Sequence, residues 1–142
     1  MVKLRPASPD ILGRMIIGAH FLLHSRDPEA DRGFFRDILG FPFVDIGHGW
    51  LIFGMPPAEA AIHPFEASTA LHRMGNEMLS AVLYLMCDDL GAFIAALQAK
   101  NVTCAEIQET NWGIVTTLSL PSGASIGLYQ PKHATALHLN SK

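Results

Sequence analysis

The hydrophobic and polar positions of this chain form one arrangement that occurs twice. An apolar run ends at an aspartate, a helix-period segment follows, and short apolar stretches separated by Gly and Pro come after it. The first copy opens Gly18-Ala19-His20-Phe21-Leu22-Leu23-His24-Ser25-Arg26-Asp27 and continues through Pro28 to Gly40. The second opens Leu79-Ser80-Ala81-Val82-Leu83-Tyr84-Leu85-Met86-Cys87-Asp88 and continues through Asp89 to Asn101. Asp27 in the first copy and Asp88 or Asp89 in the second stand where a helix N-cap is needed, and Pro28 occupies a first helical position, where its missing N–H costs nothing. Ala30, Phe34 and Ile38, joined by Phe35, make the apolar face predicted for the first helix; Phe93, Ala96 and Leu97 make that of the second. Gly40 and Asn101 close the two helices.

The remaining pattern predicts strands. Residues 15–25 form the first, and 41–46, 50–54 and 59–65 follow the first helix, with Gly47-His48-Gly49 and Met55-Pro56-Pro57 as breaks. In the second copy the strands are 79–87, 103–109, 113–120 and 124–130, with a Pro121-Ser122-Gly123 turn before the last. Residues 66–78 carry no strand pattern and read as a linker. Residues 1–14 read as an extension and 132–142 as a surface tail, in which His133 and His138, like His72 in the linker, are solvated. The predicted fold is α+β: a single domain over 15–131, in which two βαβββ modules (15–65 and 79–131) form a curved sheet around a cleft. A cavity between paired repeats is a natural place for a small ligand.

Composition narrows the function classes. A chain of 142 residues with 49% hydrophobic and 16% charged residues has enough apolar surface for a packed core. The net charge of -3 and the lack of any Lys/Arg run exclude nucleic acid and anionic membranes as expected partners. The apolar run 15–23 is shorter than the ~20 residues a membrane span needs and lacks a small-residue cleavage site, so it reads as a buried strand. Cys87 and Cys104 have no metal-like spacing and no evident base nearby, and predict inert reduced thiols in a cytoplasmic protein. Gly-x-Ser-x-Gly and Walker-type loops are absent.

Three stretches give the chain a family likeness: His20 in the strand ahead of Asp27, the helix end Phe34-Phe35-Arg36-Asp37-Ile38-Leu39-Gly40-Phe41, and the closing Leu120-Pro121-Ser122-Gly123-Ala124-Ser125-Ile126-Gly127-Leu128-Tyr129-Gln130-Pro131. Over residues 15–131 the chain resembles the vicinal oxygen chelate superfamily, which includes glyoxalase I, bleomycin-resistance proteins, fosfomycin-resistance proteins and extradiol dioxygenases. The resemblance implies a homodimer. It also implies, for metal-using members, four ligand positions, two from each module. His20 stands at the first of these and His63 near the second. The matching positions of the second module are Val82 and Gly127, neither of which has a donor.

Two histidines fall short of the three or four ligands that hold a metal firmly, so no cofactor is expected; a divalent transition metal, if present, would sit at His20 and His63. Glu59, Glu66, His24 or Tyr84 could complete a shifted set. Otherwise the two histidines bond to a ligand, water or backbone in the cleft. His24 shares the face of His20 by period two. Tyr84 and Met86 lie on the face of Val82, Tyr129 on that of Gly127, and Trp50 and Trp112 stand at strand ends; such side chains line cavities for apolar or aromatic ligands. The glycine at 127 is expected to leave empty space that enlarges the pocket. The expected function is small-molecule binding of the bleomycin-resistance type, with His20, His24, His63, Tyr84, Tyr129 and Trp50 around the ligand, an incomplete metal site and no assigned catalytic residue. The alternative is a metal-dependent lyase or dioxygenase acting on a small oxygen-rich substrate.

Overall fold

Asp27 and Asp89 start the two helices. The Asp27 carboxylate accepts the Ala30 N–H at 3.2 Å and opens α1 (Pro28–Asp37), with Pro28 as its first residue. The Asp89 carboxylate accepts the Ala92 N–H at 3.0 Å and opens α2 (Leu90–Gln98). Gly40 (φ 71°) and Asn101 (φ 62°) turn the chain out of the two helices in the left-handed region. The computed structural model describes residues 15–139; the extension expected over 1–14 and the last three residues of the tail lie outside the described residues.

After α1 the chain makes an antiparallel hairpin of β1 (Phe43–Asp45) and β2 (Leu51–Phe53), in which Phe43 faces Phe53 and Asp45 faces Leu51. Its turn contains three successive residues at positive φ, Gly47 (128°), His48 (55°) and Gly49 (77°). Two expectations fail here. Residues 16–25 and 59–65, expected as the outer strands of the first module, form no ladder. Apolar content alone does not make a strand, because its N–H and C=O groups need the edge of a neighbour. The segment 66–78, expected to be a linker, contains a 3-10 turn (Ala67–Thr69) and a second hairpin of β3 (Leu71–Arg73) and β4 (Asn76–Met78). Met74 (φ 54°) and Gly75 (φ 77°) supply the two positive φ values of a tight hairpin turn, and that local geometry pairs strands whose side chains are mostly polar.

The second unit has the full order expected of it. β5 (Tyr84–Met86) is the strand before α2, and β6 (Gln108–Glu109), β7 (Gly113–Ser119) and β8 (Ser125–Pro131) follow that helix. The sheet order is β5-β8-β7-β6, with β5 parallel to β8 and the other pairs antiparallel. Cys104 adds a single bridge to Leu118 ahead of β6. The Pro121-Ser122-Gly123 turn closes β7 on β8, with Gly123 at φ 94° and its N–H on the Leu120 carbonyl at 3.0 Å.

Alternation along β8 divides its side chains. Ile126 and Leu128 join Phe34 and Phe35 of α1, Leu90, Ile94 and Leu97 of α2, and Leu118 of β7 in one buried cluster. Burying a side chain such as Leu118 or Leu128, both with no exposed surface, stabilises the fold by about 1.5–3 kcal/mol. Ala96, expected to face inward, is exposed, and Ile94 takes the buried place. The cluster ties the helix of the first repeat to the sheet of the second. Asp31 reinforces this tie: it is buried, accepts the Ser25 hydroxyl at 2.6 Å and accepts the Ser122 N–H at 3.1 Å. Both carboxylate oxygens are thereby satisfied, as burial of a charge requires.

Candidate ligand-binding site

The face of β8 turned away from the core carries Gly127 and Tyr129. Tyr84 of β5 is the direct ladder partner of Gly127, and its ring lies over that glycine so closely that a Cβ at 127 would overlap the ring. The empty space expected at Gly127 is therefore filled. The register of the parallel pair sets the two residues side by side, and the ring covers the backbone that a side chain would otherwise shield.

Trp112 completes an aromatic group. The Thr110–Gly113 turn presents it: the Thr110 hydroxyl donates to the Gly113 carbonyl at 2.6 Å, and the Lys132 N–H donates to the Trp112 carbonyl at 2.9 Å. Gly113 allows the approach, since a Cβ there would lie 2.6 Å from the Gln130 carbonyl and 3.2 Å from the Tyr129 ring. The ring centroids are 6.3 Å apart for Tyr84–Trp112, 5.7 Å for Tyr84–Tyr129 and 5.4 Å for Trp112–Tyr129, all near edge-to-face. Tyr129 is buried at the centre, whereas Tyr84 (42% exposed) and Trp112 (44% exposed) offer ring surface to a ligand.

The hydroxyl of Tyr129 gives this group a polar end. It lies 3.5 Å from the Glu59 carboxylate and 3.3 Å from His133 Nε2. His133 Nδ1 is 2.8 Å from the Ala134 carbonyl, which can only accept, so this ring nitrogen is the donor of that bond. Glu59 also accepts the Ala136 N–H at 2.7 Å. Burial, and then the negative charge of Glu59, push the Tyr129 phenol above its ordinary range. His133, expected to be a solvated tail residue, is thus part of the network, because the chain after β8 folds back over Tyr129 and Glu59.

The other expected site residues lie as follows. Tyr84 and Tyr129 are brought together. Trp50 is on the β1–β2 turn, with the Arg32 guanidinium 4.7 Å from its ring centre. His24 Nε2 is 3.4 Å from an Arg73 guanidinium nitrogen, and His20 and His63 are exposed. The sequence names Trp112 as a cavity-lining side chain and Glu59 as one possible metal ligand, but does not join them to Tyr129 and His133; the turn residues Thr110 and Gly113 around Trp112 are the available signal. Cys87 and Cys104 are free thiols that burial pushes up, with Asp88 adding to the effect at Cys87.

The residues present do not fit a metal held between the modules. Val82 and Gly127 have no donor atoms, the space at 127 is covered by Tyr84, and among the described residues no group of three His, Cys, Asp or Glu side chains converges.

The sequence model of the Glyoxalase/Bleomycin resistance protein/Dioxygenase superfamily matches residues 18–124. No curated protein matches the chain. Among solved structures, the chain is similar to TnmS3, an antibiotic binding protein from Streptomyces sp. CB03234. The two share 22% identity over 82% of this chain and 99% of that one, with a TM-score of 0.52. A lactoylglutathione lyase from Agrobacterium tumefaciens is similar at 15% identity over 76% of this chain and 88% of that one, with a TM-score of 0.51. These likenesses establish the α+β fold that the sequence predicts.

Proposed function

Because the chain belongs to the Glyoxalase/Bleomycin resistance protein/Dioxygenase superfamily, we propose that it binds a small, partly aromatic molecule on the Tyr84–Trp112–Tyr129 face. Its polar end meets Glu59 and His133, with His20, His24 and His63 on the segments that close the cleft. The observation that carries this reading is the Tyr84 ring lying on Gly127: the position that metal-using relatives give to a ligand holds a stacking surface instead. The antibiotic-binding role of TnmS3, a protein of the same fold, supports it. A metal-dependent lyase or dioxygenase would need donors that Val82 and Gly127 lack.

The test is a titration of tryptophan fluorescence with planar polycyclic aromatic compounds in a Trp50→Phe background, which leaves Trp112 as the reporter. Saturable quenching that is lost in Tyr84→Ala supports the reading. Quenching that survives Tyr84→Ala, or no quenching with any planar compound, rejects it.

The proposal includes a cytoplasmic homodimer of single domains spanning 15–131, with 15–65 and 79–131 as its two modules. Residues 16–23 expose Ile16, Ile17, Phe21, Leu22 and Leu23, while Leu79 and Val82 lie exposed just ahead of β5, an edge strand. An exposed apolar segment and an exposed sheet edge are complementary, and a second copy supplies both. Among the described residues no helix is long and apolar enough to cross a membrane.

A further inference from the structure

We infer that a second site, between α1 and the β1–β2 hairpin, takes a small apolar molecule carrying both an ammonium and a carboxylate, the chemistry of an apolar α-amino acid. The space there is a cavity of about 470 Å³. One wall is the outward face of α1, where Glu29, Arg32 and Gly33 recur at helical spacing; the other is Phe43, Asp45 and Leu51 of the hairpin. Nothing else in the proposed function uses these residues.

The charges specify the ligand. Arg36 also borders the cavity, but its guanidinium is already paired with Asp37 through two bonds of 2.7 and 2.8 Å. Arg32 is different: it is stacked on Trp50, and among the described residues no carboxylate lies within ion-pair distance of it. Stacking holds a guanidinium in place while leaving its N–H edge available for a carboxylate. Opposite charge is also present. Glu29 has no ion-pair partner among the described residues, and Asp45 uses only one carboxylate oxygen, on the Gly47 N–H at 2.8 Å. One available cation and two available carboxylates suit neither a simple anion nor a simple cation, but a ligand with one charge of each sign.

The floor and the rim agree with that ligand. Phe43 and Leu51 offer apolar contact for its side chain. Gly33 leaves a recess in the helix wall: a Cβ there would meet only the Arg36 guanidinium, at 3.8 Å, so packing does not demand glycine at this interior helical position. At the rim, His48 holds a left-handed conformation (φ 55°) between two glycines, an arrangement unfavourable for a non-glycine residue and common beside ligands.

Amide NMR titrations of the full chain test this with three probes: L-phenylalanine, phenethylamine, which lacks the carboxylate, and 3-phenylpropionate, which lacks the ammonium. L-phenylalanine should shift the amides of residues 29–36 and 43–51 saturably. Each truncated probe should bind at least about tenfold more weakly, as expected for one lost charge-assisted bond. Arg32→Met, which keeps the stem, should weaken L-phenylalanine about tenfold. Lys100→Met, which removes a charge beyond the end of α2, should leave its affinity unchanged. Gly33→Leu should abolish binding by filling the recess, and Gly33→Ala, which favours the helix, should bind less tightly than the native chain while remaining folded. Failure of L-phenylalanine to shift these amides saturably overturns the proposal, as does equal binding of phenethylamine. Shifts confined to Tyr84, Trp112 and Tyr129 also overturn it, by placing the ligand on the aromatic face.

Discussion

The ring of Tyr84 lies on Gly127, its partner across the parallel β5–β8 ladder. This pair makes the position useless for a metal-binding side chain and turns it into part of an aromatic surface. Gly127→Glu should destabilise the fold by about 1–3 kcal/mol, the usual cost of overpacking, because the new Cβ displaces the ring. Tyr84→Ala should relieve that cost, so a double-mutant cycle by urea denaturation should give a coupling of about 1 kcal/mol or more. Additive effects would mean that the ring does not occupy this space.

Asp31 joins the start of α1 to the β7–β8 turn. Asp31→Ala should lower stability by about 1–3 kcal/mol, since it leaves the Ser122 N–H without its partner. Asp31→Asn, which keeps one acceptor oxygen, should cost less. Thermal melts of the two variants check the order.

Tyr129 makes stability depend on pH on the alkaline side. Its phenol is raised above the ordinary 10.0, first by burial and then by Glu59. Above that value the unfolded chain loses the proton before the folded one does, so stability is fully present below pH 10 and falls as pH rises through the folded pKa. Urea midpoints measured from about pH 8 to pH 11 should show a decline that is reduced in Tyr129→Phe. An unchanged decline in that variant would remove Tyr129 as its source.

Ile17→Asp and Val82→Asp should each convert a dimer into a monomer of 15.5 kDa, read by light scattering behind size exclusion. Both residues are apolar and exposed within one chain, so a charge there costs little unless a second copy covers it. A native chain that already runs as a monomer would end the dimer proposal.

What could be read from the sequence was what local physics decides. Asp27, Pro28 and the Asp88-Asp89 pair mark helix starts because a cap is a matter of a few adjacent residues, and the structure selects Asp89 of the pair. Phe34, Phe35 and Leu97 are buried, as the apolar spacing along each helix predicts. In the second helix Leu90 and Ile94, not among the expected inward residues, are buried, and Ala96, which was among them, is exposed. Residues 16–25 and 59–65 have the composition of strands, yet ladder pairing depends on what edge lies beside them, which composition does not encode. The polar hairpin of β3 and β4 was missed because Met74-Gly75 is a weaker turn signal than Asn-Gly. Tyr84 and Tyr129 were found as candidates, but their meeting with Trp112 follows from register and from one turn. Glu59 and His133 meet over Tyr129 only because the chain folds back after β8.

The bond from Asp31 to Ser122, and the packing of Phe34 and Phe35 with Leu118, Ile126 and Leu128, have a consequence for synthesis on the ribosome. The first helix is made early, but its core partners Leu118, Ile126 and Leu128 are made only after the whole intervening chain. A nascent chain therefore carries two exposed phenylalanines, and lacks its cooperative core, until β8 has been made. Contacts this distant in sequence slow folding and lengthen the time for which apolar surface is open to other chains. Truncation before β8 should accordingly leave a chaperone-dependent fragment rather than a stable half-domain.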